Sequence, residues 1–267
     1  MAAAPSRLRS PWGPPRPGRG SIPILRRHFL VWRKTAITTV LGDVMDPMVA
    51  LLALGFGLGS LLPGIDGAPY ITFLSAGSIC MGALYAATFE ATYSAFSRLH
   101  LQRTWDAMLN TPLSLDDVVA AEILWAGAKS MKSGLAILLV VALLGVSREQ
   151  TLLWVPLVLV LLAVTFASLA LVVTAIAKGF DFFLYYFTLV VTPMVFLSGV
   201  FFPVTQLPAA LVGALRWLPL APAIELVRPL VLGRLPEHPW LNVLQLAATA
   251  LAAAWLATAL MRRRLLR

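Results

Sequence analysis

The charged residues of this chain that could do chemistry stand inside or at the edge of long apolar runs: Asp43, Asp46, Glu90, Glu122, Lys129 and Lys132. A charge in hydrocarbon costs roughly 2.5–3.5 kcal/mol, so such side chains turn toward other helices and pair there. Glu122, Lys129 and Lys132 follow each other at steps of seven and three residues, which places them on broadly one helix face. We therefore expect an intramembrane polar network of Glu90, Glu122, Lys129 and Lys132, with Glu90 or Glu122 as partners of the lysines. An ion-paired structural role is favoured over a substrate-binding one.

Motifs for catalysis or metal binding are missing from the sequence. The nearest match to a phosphate-binding loop, residues 127–130, lacks the first glycine and lies in an apolar run. The three histidines, His28, His100 and His238, are far apart and show no ligand spacing. No G-x-S-x-G nucleophile motif occurs. We expect a chain that is not an enzyme, has no catalytic residue and no metal site, binds no cofactor and does not hydrolyse ATP by itself.

The composition is typical of a membrane protein. Of the 267 residues, 59% are hydrophobic and 12% are charged, whereas soluble domains have about 25% charged residues. A membrane-spanning helix needs about 20 apolar residues, and several runs are that long. The single cysteine, Cys80, excludes an intrachain disulfide.

The apolar runs predict an all-α integral membrane protein with six spans, at about residues 36–62, 70–94, 117–146, 152–177, 182–202 and 240–261. Residues 1–20 are basic and rich in proline, and we expect a disordered tail there. The basic and apolar pattern from Ser21 to Lys34 predicts an N-terminal interfacial helix. Asp116 and Asp117 are expected to cap the third span by accepting amide hydrogens.

The segment from Pro203 to Pro239 is too apolar for a soluble loop and too rich in proline for a straight span. We expect two short re-entrant or interfacial helices there, near Leu207 to Trp217 and Ala223 to Leu232. Glu225 and Arg228 are three residues apart and can pair on the second one.

The distribution of basic residues predicts the orientation in the membrane. Six spans place both termini on one side, and 15 of the 21 Lys and Arg residues lie on that side. By the positive-inside rule this side is cytoplasmic. The positive charge is explained by topology and anionic lipid, so nucleic acid is not an expected partner.

Between the second and third spans lies a polar stretch that is neither terminal nor rich in turn residues. Together with the six spans, the interfacial helix and the broken outer helices, it resembles the permease subunit of ABC-2-type exporters, and is most similar to the nodulation lipooligosaccharide group. Drug and polysaccharide export permeases are related. The residues that carry the resemblance are 89–96, 102–109, 113–117, 122–126, 181–186, 198–203, 206–208, 218–220 and 225–233.

The resemblance implies a homodimer that binds two copies of a separate ATP-binding cassette subunit, in which ATP and Mg are used. The segment from Arg98 to Asn110 would be a cytoplasmic coupling helix, with Arg98, Arg103, Trp105 and Asp106 as contact residues. The implied localisation is the bacterial inner membrane, with both termini in the cytoplasm and membrane lipids around the spans. The implied cargo is amphiphilic, lipooligosaccharide-like or drug-like.

Two other functions remain open from the residues alone. A membrane-embedded enzyme for lipid-linked substrates would use Asp43, Asp46, Glu90, Lys129 and Lys132 as its polar core, but a nucleophile or metal constellation is missing. A secondary transporter would need charges at the membrane midplane and an internal repeat, and neither is clear.

Overall fold

The computed structural model describes residues 11–61, 64–65, 67–206, 208, 212–213 and 215–265, without the side chains of residues 43, 44, 46 and 47. The helices in this part of the chain are α1 Ser21–Trp32, α2 Ala36–Gly57, α3 Tyr70–Phe89, α4 Thr104–Leu109, α5 Leu115–Leu143, α6 Val155–Ile176, α7 Asp181–Tyr186, α8 Thr192–Leu197, α9 Ala221–Val231 and α10 Pro239–Leu265. The β structure in the described residues is limited to an isolated bridge between Ile65 and Ala68. The all-α class is therefore confirmed.

Several helices are continued by irregular turns. α3 runs on through π-helical turns at Glu90–Ser94 and Ser97–Leu101, and a π-helical turn at Phe187–Val191 joins α7 to α8. Short 3₁₀ turns occur at Leu58–Ser60, Gln150–Trp154 and Val204–Gln206. π turns are rare and frequently mark functional sites.

Four helices in the described part of the chain are long and apolar enough to cross a membrane: Tyr70–Leu101, Leu115–Leu143, Gln150–Ile176 and Pro239–Leu265. Two shorter apolar helices, Met48–Ser60 and Asp181–Leu197, lie where the first and fifth spans were expected. The count of six spans stays a prediction.

The core is built around α3, whose side chains are almost all buried. α2, α5, α6 and α9 pack on α3, and α10 packs mainly on α6. Small residues allow the close approach: a Cβ on Gly134 of α5 would lie 2.9 Å from the Leu159 side chain of α6. Ser130 donates to the Ala83 carbonyl of α3 across 2.7 Å. Such contacts are typical of helices packed in a membrane.

The start of α5 is capped by Ser114 together with Asp117. Asp116, which was also expected to cap this helix, accepts from the Arg16 amide and from Arg262 instead. The Asp117 amide donates to Ser114 Oγ, and the Ser114 amide donates to Asp117 Oδ2, each across 3.1 Å. This reciprocal arrangement satisfies free amide hydrogens of the first turn. It fixes the position at which α5 leaves the segment that contains α4.

Residues 11–20, which we call the N-terminal strap, lie in defined contacts, where the sequence predicted a disordered tail. The Trp12 and Trp255 ring centroids are 5.7 Å apart, and the Arg16 amide donates to Asp116 Oδ2 across 2.9 Å. The Arg262 guanidinium donates to Asp116 and to the Gly13 carbonyl. A chain rich in proline and glycine forms few internal hydrogen bonds, and Arg262 satisfies its carbonyls instead. Residues 1–10 lie outside the described residues.

The segment before the last span is partly described. α9, at Ala221–Val231, lies where the second broken helix was expected, and its helical state is confirmed. For the first one, residues 212–213 and 215 are helical, while 207, 209–211 and 214 lie outside the described residues. Whether these helices re-enter the membrane stays a prediction.

Candidate functional site

A cluster of buried charges joins four elements at the end of α3 that leads to α4. The π turns after α3 supply Glu90 and Arg98, and α5 supplies Glu122 and Lys129. Glu90 and Glu122 have exposures of 3% and 1%, so neither carboxylate is open to solvent. Buried charges of this kind are retained only where they are paired.

Arg98 is the centre of this cluster. Its Nη1 donates to Glu90 Oε1 across 2.8 Å. Its Nε and Nη2 donate to Glu122 Oε1 and Oε2 across 3.0 and 2.5 Å, which is a bidentate pair. Lys129 Nζ donates to the second oxygen of Glu90, Oε2, across 2.5 Å. Two carboxylates and two cations thus balance each other in charge.

α4 enters the same cluster through Trp105, whose side chain is completely buried. The Trp105 indole Nε1–H donates to Glu122 Oε1 across 3.1 Å. From α1, His28 Nε2 lies 3.5 Å from the same oxygen, and the His28 ring stacks on Trp125 at 5.6 Å between centroids. Glu122 therefore links α4, α1 and the end of the α3 helix to α5.

The turn before α4 is held in one conformation. Arg103 has φ 48°, and it is the one non-glycine residue of the described chain with a positive φ. A non-glycine residue in this region costs about 1–2 kcal/mol. Thr104 Oγ1 donates to the Arg98 carbonyl across 3.0 Å, which closes the turn. The position of α4 is thus tied to Arg98 by backbone as well as side-chain contacts.

The four residues expected to touch an ATP-binding subunit fall into two groups. Arg103 and Asp106 are exposed on α4 and the turn before it. Trp105 and Arg98 point inward, although the sequence predicted that their side chains would contact a partner. The reason is that Glu122 supplies both with a buried acceptor. The separate helix in this segment, α4, is shorter than the predicted range Arg98 to Asn110, because residues up to Leu101 continue the α3 helix.

Lys132, which was predicted to belong to the polar network, and the predicted pair of Glu225 and Arg228 lie apart from Glu122. Lys132 Nζ lies over the Trp32 ring, 5.4 Å from its centroid. On α9, Arg228 lies over the Phe73 ring at 3.8 Å and donates to the Gly199 carbonyl. Glu225 accepts from Asn242 Nδ2 across 3.2 Å. The pairing of Glu225 with Arg228 stays a prediction.

Sequence reasoning missed His28 and the link between Asp116 and Arg262. Arg262 Nε and Nη2 donate to the two oxygens of Asp116 across 2.9 and 2.6 Å. These partners are separated by 146 residues, so spacing could not reveal them. His28 could have been noticed, because it lies in the apolar and basic segment whose pattern predicted the helix α1.

The arrangement suits mechanical linkage better than chemistry. Among the described residues, no group of three or more His, Cys, Asp or Glu side chains is placed to hold a metal. Both carboxylates of the cluster are fully engaged by donors, so neither is available to act as a base on a substrate. What the cluster does is fix α4 rigidly against α1, α3 and α5.

Most of the chain is similar in sequence to a known protein family and to individual known proteins. The family described as ABC-2 type transporter matches residues 23–232. Nodulation protein J of Rhizobium meliloti (strain 1021) is 43% identical over 252 residues, which cover 94% of this chain and 96% of that protein. Nodulation protein J of Rhizobium leguminosarum bv. viciae is 43% identical over 253 residues, covering 95% and 98%. The inner membrane transport permease YadH of Escherichia coli (strain K12) is 26% identical over 184 residues, covering 69% and 70%.

Proposed function

The chain belongs to the ABC-2 type transporter family, and from this we propose that it is the permease subunit of an exporter driven by a separate ATP-binding cassette subunit. The chain itself is a bacterial inner-membrane transport component. In the proposal, ATP and Mg are bound by the partner, and two partner subunits act on a homodimer of this permease.

We propose α4 as the coupling helix. The observation that carries this is the Trp105–Glu122 hydrogen bond, which ties a short exposed helix to the centre of the charge cluster. A force on α4 is transmitted through Glu122 to α5 and through Arg98 to α3. Coupling requires an element with two positions that a ligand biases, and α4 is the element that nucleotide-driven closure of the partner would move.

The exposed residues of this segment form the proposed contact with the partner. Arg103 and Asp106 carry opposite charges and lie beside the exposed Ala107 and Asn110. Charged groups at the rim of an interface fix orientation and association rate. Trp105 supports this surface from behind and does not take part in it.

The cargo and the homodimer are proposals of the same kind. Exposed apolar side chains line α2 and α7, among them Leu41, Val49, Leu184 and Tyr185. Such faces suit either lipid tails or a second copy of the permease. An amphiphilic cargo, lipooligosaccharide-like or drug-like, would move between these faces, out of the cytoplasm or the inner leaflet. In the proposed orientation both termini are cytoplasmic.

Affinity purification tests the proposal. The permease is tagged at the C terminus, solubilised gently from native membranes and examined for a copurifying polypeptide with ATPase activity. We expect one in roughly stoichiometric amount, and we expect Asp106→Lys to reduce it about tenfold through like-charge contacts at the rim. Glu149→Lys, an exposed change outside the coupling segment, is the matched control. Purification of the intact permease without an ATPase would reject the proposal.

A further inference from the structure

A polar cavity of about 160 Å³ lies between α1, the start of α2, the π turns after α3 and α5. It has room for roughly ten waters, since each needs about 15 Å³ of such space. Its lining includes Arg27, Trp32, Ser94, Glu90 and Lys129. The cavity adjoins the charge cluster but is not filled by it.

Two donors that line this cavity lack a partner in the described part of the chain. Trp32 Nε1 is buried and has no hydrogen-bond acceptor. Arg27 has no carboxylate in ion-pair distance among the described residues. A buried N–H without an acceptor is costly and needs an explanation. An acceptor-rich ligand in the cavity would satisfy Trp32 and Arg27 together.

Glu90 is the one carboxylate among the described residues that lines the cavity, and it does not repel an anion there. Glu90 Oε1 accepts from Arg98 and Oε2 accepts from Lys129, so both oxygens are covered by cations. Lys129 has three N–H donors, of which Glu90 takes one. The cavity therefore retains an excess of donors and of positive charge.

The position of α1 indicates where such a ligand comes from. Phe29, Leu30 and Val31 are exposed on the same short helix that carries Arg26 and Arg27. A basic helix with exposed apolar residues lies in the membrane interface, at the depth of lipid headgroups. Phosphate is the acceptor group found at this depth, and guanidinium binds it in a bidentate manner.

We propose that this cavity binds the phosphate of an anionic lipid headgroup, with Arg27 and Trp32 Nε1 as contact residues. The ligand holds α1 against α5 and so stabilises the cluster on which α4 rests. The site does not depend on cargo or on ATP.

Native mass spectrometry of the purified permease in nonionic detergent tests the site. The protein is titrated with phosphatidylglycerol and, separately, with a glucosyl diacylglycerol of equal acyl length that has no phosphate. We expect one saturable phosphatidylglycerol per chain and much weaker binding of the glucolipid. Arg27→Gln should weaken binding roughly tenfold, as expected for loss of a charge-assisted hydrogen bond. Arg26→Gln, an exposed neighbour with the same charge change, should leave it unchanged.

A second variant distinguishes the loss of the indole N–H donor from a loss of folding. Trp32→Phe keeps the aromatic ring and removes only the donor, so it should weaken phosphatidylglycerol binding several-fold with an unchanged circular dichroism spectrum. Equal binding by Arg27→Gln and Arg26→Gln, or equal binding of both lipids, would overturn the proposal. Displacement of the lipid by inorganic phosphate would show that the phosphate group alone supplies the affinity and would support the site with a soluble source. Since no partner subunit is present, failure here leaves the exporter proposal untouched.

Discussion

The indole N–H of Trp105 donates to Glu122 Oε1 across 3.1 Å, and this bond joins the short exposed helix α4 to the long helix α5. The same carboxylate accepts two hydrogen bonds from Arg98. α4 therefore cannot shift without changing the surroundings of a buried charge. This relationship leads to the following predictions.

Removal of the indole donor should uncouple the permease. Trp105→Phe keeps a large ring but leaves Glu122 with one donor fewer, which costs about 1–3 kcal/mol for a buried group. We expect normal membrane insertion, with reduced transport-coupled ATPase activity of the reconstituted complex. Trp154→Phe, at an exposed tryptophan, is the control. Unchanged coupling in Trp105→Phe would contradict the role of this bond.

A lysine cannot replace the bridging arginine. Arg98→Lys keeps the positive charge but cannot bind Glu90 and both oxygens of Glu122 together, because the planar guanidinium fork is lost. Since breaking a buried pair outright costs about 3–5 kcal/mol, we expect a smaller loss of roughly 2 kcal/mol and a lower melting temperature in detergent. The exposed Arg103→Lys should melt like the unmodified protein. Equal melting of both variants would show that the cluster does not stabilise the fold.

Parts of this cluster follow from the sequence, which offered Glu90 or Glu122 as a partner of the lysines, and Lys129 lies against Glu90. The role of Arg98 could not be predicted, since it comes eight residues after Glu90 and would be rotated by about 80° in a regular α-helix. The intervening π turns alter that register. The burial of Trp105 could not be predicted for a related reason: a tryptophan with flanking charges suits a partner contact, and only the fold shows that Glu122 lies within its reach.

Contacts between residues distant in sequence also determine the conformation of the N-terminal strap. Composition predicted disorder for residues 1–20, whereas residues 11–20 bind Arg262 and Asp116. Membership of the ABC-2 family, by contrast, could be predicted from local motifs, because these lie in single segments of the chain, and the family match over residues 23–232 confirms it. Local sequence patterns thus predicted the helices and the family. The contacts between residues distant in sequence could be identified only in the structure.

The N-terminal strap should open when its carboxylate anchor is removed. Asp116→Asn takes the charge from Arg262 and weakens the bond to the Arg16 amide, so we expect several-fold faster trypsin cleavage after Arg19, since Pro17 blocks cleavage after Arg16. Asp181→Asn, on α7, is the matched control. Limited proteolysis followed by mass spectrometry measures both rates. Equal rates would show that Asp116 does not hold the strap.

The central claim is that α4 meets the ATP-binding subunit through its exposed side only. Site-specific crosslinking tests it directly in a background where the single cysteine is replaced, Cys80→Ser. Asp106→Cys lies on the exposed side of α4, and Arg148→Cys is exposed outside the coupling segment. The account predicts a thiol-dependent crosslink to the copurified ATPase for Asp106→Cys and none for Arg148→Cys. A crosslink at Arg148→Cys with none at Asp106→Cys would contradict it.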